Sequence, residues 1–385
     1  MVNSKKTQSA GQRERAGKNK NLSGGSGLVR IRKLLLMPFY VIQVFTGKKN
    51  YGVNPILASE RLNRRGLHVF RVRLAHRLAA YRRRKLTGLI SQEDRVAFER
   101  DGFVMKPEFL PADAFSRLCE EIRSLRGEAR EIVEGDALTR RIPVTPELLK
   151  QAPTLRLLIE SPVWTGLTRY IGSFDVEPVV NVLTVSAQAG RPGKRDPQTD
   201  LHMDTFHPTM KAWFFLHDVA DEEGPFTYVP GSHIPTPRRL AWQRRCSILA
   251  AQGAGGAGGS FRLLPSVLKR LRLPMPHRFA VPGNTLVVGD TYGFHARGES
   301  LRESTRVTIF ASCRPSPFNP IVGLDTALIP FVSGRKEMLF WRWQDALAKL
   351  GLARPKWRSV GVVPHRPEVA ASPYNAKSRR GKQTG

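Results

Sequence analysis

From Val176 onward the chain is a succession of short apolar runs closed by Gly, Pro, Asn and Asp, a pattern that few architectures accept. Residues 176–185 form the first run, and residues 211–219 read as a buried strand. Residues 224–233 give a turn, a short strand and a second turn; residues 282–290 repeat turn and strand, and residues 305–311 alternate as a strand. A parallel sheet needs a crossover helix between successive strands, and little helical spacing separates these runs. The pattern therefore predicts a mainly β protein with flanking helices, its core a jelly roll of antiparallel strands. Helical spacing belongs to the flanks. It covers residues 91–100 with Ser91 as N-cap, residues 120–125 and 145–159, and a C-terminal stretch that Ser333 is expected to cap, carrying Leu339, Phe340, Trp343 and Leu347. No internal repeat is evident.

Within the β-rich region stands His202-Met203-Asp204, followed far downstream by His295 and Arg306. In extended backbone, residues two apart share a side, so His202 and Asp204 converge while Met203 turns away. With His295 from a later strand they make a 2-His-1-carboxylate set, which leaves three cis positions on a non-haem iron for a bidentate organic acid and O2. A strand after His295 places Arg306 where its planar fork can clamp the far carboxylate of that acid, which suggests 2-oxoglutarate.

An H-x-D pair is a weak signal alone, and its surroundings strengthen it. The strand and turn pieces above, in their order, with residues 98–105 and 109–115 at the front, resemble the phytanoyl-CoA dioxygenase family of Fe(II)- and 2-oxoglutarate-dependent oxygenases. The resemblance spans about Leu89 to Asn319. It implies a double-stranded β-helix (cupin-like) fold with a helical N-terminal extension, His202, Asp204 and His295 as iron ligands, and Arg306 on 2-oxoglutarate. It also implies O2 as oxidant and hydroxylation as outcome, since related halogenases lack the carboxylate that Asp204 supplies. Trp213 is a candidate wall of the 2-oxoglutarate pocket, with core packing as the alternative. Two features depart from the family pattern: Arg297 stands where relatives place a small hydroxyl residue, and a Gly-rich insertion, residues 240–281, follows Ser232-His233. That insertion reads as a lid or as a tolerated surface loop. His207, His217, His233 and His277 are expected to be structural, His233 through a loop-bracing hydrogen bond. Gln188, Arg191 and Lys194 are candidates for substrate contact.

Charge is unevenly distributed. Up to Ile90 only Glu14 and Glu60 face about twenty Lys and Arg, so most of the formal charge of +30 sits there. Residues 1–33 read as a flexible basic tail. Residues 34–86 hold an apolar stretch too short to span a bilayer, which takes about 20 residues, and then a helix with Leu67, Phe70, Leu74, Leu78 and Tyr81 at helical spacing among arginines. This is the pattern of a helix lying in anionic headgroups. The alternative packs the apolar stripe on the catalytic domain and leaves the arginines in water. Residues 87–322 form the oxygenase core, and residues 323–385 a C-terminal helix and second basic tail, where Trp341, Trp343 and Trp357 suit either a headgroup interface or a core. Three cysteines far apart, Cys119, Cys246 and Cys313, exclude a disulfide framework and point with Fe(II) to a reducing, cytoplasmic setting. The expected substrate is a lipid or lipid-linked amphiphile met at an anionic membrane face. Alternatives are a soluble anionic metabolite or acyl-CoA, and a non-catalytic binding protein; nucleic acid is the least favoured partner.

Overall fold

The computed structural model describes residues 35–188, 194–325 and 329–366. Both basic tails and Arg191 lie outside the described residues. Among the described residues there are eleven strands: β1 (Phe103–Lys106), β2 (Arg126–Glu134), β3 (Ala137–Pro143), β4 (Val179–Ala187), β5 (Met210–Phe215), β6 (Phe226–Tyr228), β7 (His277–Arg278), β8 (Thr285–Asp290), β9 (His295–Arg297), β10 (Ser304–Cys313) and β11 (Arg358–Pro364). They form an eight-stranded sheet, β1-β8-β5-β10-β4-β3-β2-β11, and a three-stranded sheet, β7-β6-β9. The strand pairs are antiparallel, as the jelly-roll expectation requires.

Side-chain alternation gives the large sheet two jobs. Ala212, Phe214, Val307, Ile309 and Ala311 point into the main core, which they share with residues of the helices Ala112–Ser124, Pro153–Glu160 and Pro162–Gly172. Each large apolar side chain buried there contributes about 1.5–3 kcal/mol. Their neighbours Lys211, Trp213, Arg306, Thr308 and Phe310 turn the other way and line a cavity of about 250 Å³. Because both faces are covered, β5 and β8 read as near-continuous apolar runs.

The front of the core follows the expected order: Ser91 accepts a hydrogen bond from the Asp94 amide and starts the Gln92–Asp101 helix, and β1 and the Ala112–Ser124 helix follow. Ser333 does not cap its helix. The Lys336–Lys349 helix starts after Arg335 without a side-chain cap, and the Ser333 hydroxyl instead donates to Glu177 at 3.3 Å. Trp341 is buried beneath Arg130, whereas Trp343 is exposed. The β2–β3 hairpin and β11, none of them expected, extend the sheet beyond β4.

The Leu67–Lys85 helix reverses the packing alternative. Gly66, at φ +96°, takes the left-handed conformation that begins it, and its buried face is His68, Arg71, Val72, Ala75, Ala79 and Arg82. Arg71 is 2% exposed and donates to the Val44, Thr46 and Lys48 carbonyls at 2.8, 3.0 and 2.6 Å, its guanidinium 4.0 Å from the Phe206 ring centre. Arg82 is 1% exposed, bonds the Ser173 and Asn319 carbonyls at 2.9 and 2.6 Å, and lies over Phe174. Guanidinium groups are tolerated there because carbonyl acceptors and aromatic faces replace their water. The expected apolar stripe is only partly covered: Leu67, Leu74 and Leu78 are half-buried, while Phe70 is 53% exposed and Tyr81 39%, with exposed Arg73, Arg77 and Arg84 beside them. The Met37–Val44 helix likewise leaves Phe39 and Ile42 exposed, and among the described residues no helix is long and apolar enough to cross a membrane.

Candidate metal centre

The backbone brings the three expected ligands together. His202 and His295 exchange both amide–carbonyl hydrogen bonds at 2.9 Å, so their side chains start as a directly opposed antiparallel pair. The Asp204 amide bonds the Thr291 carbonyl at 3.0 Å and turns its carboxylate to the same place. One ligand atom from each of His202, Asp204 and His295 lies within 4.8 Å of the others, and Asp204 Oδ1 is 3.8 Å from His202 Nε2 and 3.6 Å from His295 Nε2. Met203 points away into a separate core with Phe206 and Phe294.

The donor chemistry fits a divalent metal. His202 Nδ1 bonds the Asp200 carbonyl at 2.7 Å and His295 Nδ1 bonds the Gly293 carbonyl at 2.9 Å. A carbonyl only accepts, so both Nδ1 atoms carry the proton and both Nε2 lone pairs face the centre. Burial and the neighbouring His295 push His202 down to about 3, which keeps it a neutral ligand. His295 Nε2 is buried without a hydrogen-bond partner, which fits a nitrogen that serves as a metal ligand. Burial alone raises a carboxyl, but Lys211 and His295 outweigh it and hold Asp204 well below the usual carboxylate range.

The cations around Asp204 were not among the expected site residues. Lys211 Nζ is 2.6 Å from Asp204 Oδ2, the oxygen turned from the imidazoles, and an Arg314 guanidinium nitrogen is 3.8 Å from the same oxygen. Lys49, from the N-terminal segment, donates to the Asp204 carbonyl and to Ser260 Oγ. Burial, with Arg314 nearby, lowers Lys49 to about 8. Lys211 was legible in principle, since it shares strand parity with Trp213; Lys49 was not, because it lies outside the family-like stretch.

Arg306 opens into the same cavity as the triad. It is buried, makes no ion pair among the described residues, and is brought down to about 9 by burial beside Arg297. Arg297 is occupied: it pairs with Asp196 at 2.8 Å and reaches Thr139 Oγ1 at 3.4 Å. The uncommitted guanidinium is thus Arg306. Trp213 lines the cavity and stacks on Phe226 with ring centres 4.0 Å apart, so it is cavity wall and packed aromatic at once.

The remaining candidates separate. His217 is tied to the Asp218 carbonyl and the Val307 amide, and His207 to the Pro208 carbonyl. His277 stacks on Phe103. His233 lacks the bracing bond expected at Nδ1, which is buried without a partner; its ring packs on Phe98, and the turn is held by other bonds, such as the Gly231 amide to the Asp101 carbonyl and the Phe294 amide to Ser232 Oγ. Gln188 donates to the Ser300 carbonyl, and Lys194 lines a different pocket. The insertion is neither a free lid nor a detached loop where it meets the site. Met203 donates to the Phe261 carbonyl at 3.1 Å and Leu263 to the Leu201 carbonyl at 2.7 Å, so the insertion borders the His202 segment as a strand partner.

The phytanoyl-CoA dioxygenase family model matches residues 98–247. No curated protein matches the chain in sequence. Among solved structures, the epimerase SnoN with Fe3+, alpha ketoglutarate and nogalamycin RO is similar at 19% identity over 59% of this chain and 83% of its own, TM-score 0.40. HygX from Streptomyces hygroscopicus, with nickel, 2-oxoglutarate and hygromycin B, gives 16% over 58% and 86%, TM-score 0.35. EctD from S. alaskensis with bound Fe gives 14% over 61% and 81%, TM-score 0.36. The family match falls on the segment that supplies His202, Asp204 and the strand bearing Trp213, so this part of the chain is similar to the phytanoyl-CoA dioxygenase family, and the His202, Asp204 and His295 cluster adjoins it.

Proposed function

We propose that the protein hydroxylates an unactivated C–H bond of a lipid or lipid-linked amphiphile at an anionic membrane face, with His202, Asp204 and His295 holding the iron and Arg306 holding 2-oxoglutarate. Iron and 2-oxoglutarate supply the oxidising chemistry when bound. The protein's part is placement. The two Nε2 atoms and Asp204 Oδ1 would hold the iron, Lys211 steadies Asp204 through Oδ2, and Arg306 would hold the far carboxylate of the co-substrate. Trp213 and Phe226 keep that side of the cavity dry.

One observation carries the chemistry: both imidazoles are fixed with their Nε2 lone pairs toward Asp204 Oδ1. Anaerobic titration with Fe(II) and 2-oxoglutarate is expected to produce a charge-transfer absorption band that His202→Ala abolishes. A band of unchanged intensity in that variant refutes the ligand assignment.

The membrane reading is supported by the outward face of the Leu67–Lys85 helix, where Phe70 and Tyr81 stand among Arg73, Arg77 and Arg84. A basic residue near an anionic surface is worth about 1 kcal/mol. Replacing Arg73 and Arg77 by Gln should therefore weaken binding to phosphatidylglycerol vesicles roughly thirtyfold. Equal cosedimentation of the two proteins with anionic vesicles, or none by wild type at low salt, defeats this part.

A further inference from the structure

Lys211 and Arg314 sit at the end of the large sheet remote from Arg306. Lys211 on β5 is opposite Ser312 on β10, and Arg314 follows that strand directly. Arg306 is six positions back along β10, about 20 Å at the rise of a strand. Arg306 stands where the far carboxylate of 2-oxoglutarate is proposed to lie, whereas Lys211 and Arg314 stand at the metal end, beside Asp204.

Lys49 joins Lys211 and Arg314 because two segments outside the common oxygenase core meet beside Asp204. Arg71 gathers the carbonyls of Val44, Thr46 and Lys48 and so fixes the chain that leads into Lys49. On the other side the Tyr51 amide bonds the Ala257 carbonyl at 2.8 Å, and Gly259, at φ +73°, lies so close to the Lys49 carbonyl that a Cβ would come within 2.2 Å of it. The N-terminal segment and the Gly-rich insertion thus hold Lys49 in place together.

Three cations share a single acidic neighbour. Among the described residues, Asp204 is the one carboxylate paired with Lys211 or Arg314, and Lys49 pairs with none. On the proposed metal assignment Asp204 Oδ1 belongs to iron, leaving Oδ2 alone to answer three positive charges. The surplus suits a phosphate monoester dianion better than a single carboxylate. The Arg314 side chain is 50% exposed and that of Lys211 26%, so the cluster runs from the cavity toward solvent, along an entry route.

We propose that Lys49, Lys211 and Arg314 receive a phosphate group of the substrate beside the metal, at the end of the cavity remote from Arg306. This rests on the metal assignment above and narrows the substrate class to phosphate-bearing molecules. The test is phosphorus-31 relaxation of two probes, inorganic phosphate and monomeric dihexanoylphosphatidic acid, added to full-length protein loaded with Co(II) and 2-oxoglutarate. Cobalt relaxes only phosphorus held close to it, which separates this cluster from basic surface elsewhere. Relaxation of the phosphatidic acid alone identifies a lipid headgroup, and relaxation of both identifies a free phosphate; either supports the proposal. In Lys49→Gln/Arg314→Gln the probe concentration for half-maximal effect should rise at least about tenfold, while Arg73→Gln/Arg77→Gln should leave it unchanged. No enhancement with either probe, or an enhancement that the Lys49/Arg314 variant retains, overturns it. Cobalt absorption reads the metal site independently: a wild-type protein that binds no Co(II) fails the ligand assignment, and a variant that keeps the Co(II) spectrum is folded at the site.

Discussion

Arg71→Met is the most direct probe of how the N-terminal segment is held. Methionine approximates the length and apolar stem of arginine, so the change removes the guanidinium with little loss of volume. Three carbonyl acceptors stay behind. That of Val44, whose residue is buried, loses its partner in a place water reaches poorly, at about 1–3 kcal/mol. Those of Thr46 and Lys48 are partly exposed and recover solvent, so each loses about 1 kcal/mol. Loss of the contact over Phe206 adds about 1 kcal/mol. Relief from burying a charge offsets part of this, and the net is about 3 kcal/mol, a factor of roughly a hundred in a local opening equilibrium. The Tyr51 amide reports it, because its bond to the Ala257 carbonyl breaks when residues 44–51 detach. Hydrogen exchange at Tyr51 should accelerate about a hundredfold while amides of β5 and β10 keep their protection. Tyr51 exchange within a factor of three of wild type would refute the argument that Arg71 anchors this segment.

Two further predictions follow from buried charge. Arg306→Gln removes one partner of a desolvated ion pair, which costs about 2–5 kcal/mol; half-saturation of the Fe(II) charge-transfer band should need at least thirtyfold more 2-oxoglutarate, with iron affinity unchanged, and an unaltered requirement removes Arg306 from the co-substrate site. Acid sensitivity comes from histidines: burial lowers His68, His207 and His233 to about 3 and His76 well below its ordinary value. Their folded values lie below the unfolded 6.5, so the unfolded chain takes up protons first and stability is lost as pH falls below about 6.5. Each contributes up to about 1.4 kcal/mol per pH unit below that point. The urea midpoint should drop steeply between pH 6.5 and 5, and a flat midpoint across that range contradicts their burial as neutral rings.

The core and the triad were legible because both depend on period-two alternation. His202 and Asp204 converge on one point, and Lys211, Trp213, Arg306, Thr308 and Phe310 share one face of the large sheet, each set placed by counting residues in extended backbone. The β2–β3 hairpin escaped because β2, from Arg126 to Glu134, carries charges through most of its length; Arg130 is buried against Asp345 and Trp341, and Arg140 against Glu131. Neither partner adjoins its arginine in sequence, so nothing local marks those positions as interior. The β11 strand depends on pairing with β2 more than two hundred residues earlier, which local pattern cannot convey.

The Leu67–Lys85 helix shows where a hydrophobic pattern points the wrong way. Its apolar stripe was expected to face anionic headgroups or to pack on the catalytic domain with the arginines in water, and neither reading placed an arginine in the interior. A guanidinium, however, is a flat, weakly hydrated group with five donors, and a core that offers three carbonyls and an aromatic face can accept it. Arg71 and Arg82 find that environment, so the helix turns inward on small residues, Ala75 and Ala79, that let it approach closely, and presents Phe70 and Tyr81 outward. Orientation was therefore decided by the inventory of acceptors in the domain underneath, which no reading of the helix alone contains. The same inward Arg71 fixes residues 44–48 and brings Lys49 to the Asp204 carbonyl, so the segment that faces outward with aromatics and arginines also touches the metal-site backbone. A truncation that removes residues 35–86 thus takes away the outward aromatic and arginine face and the Lys49 contact with Asp204 together. Point changes at Arg73 or Lys49 separate the two, and only they can tell recruitment from substrate recognition.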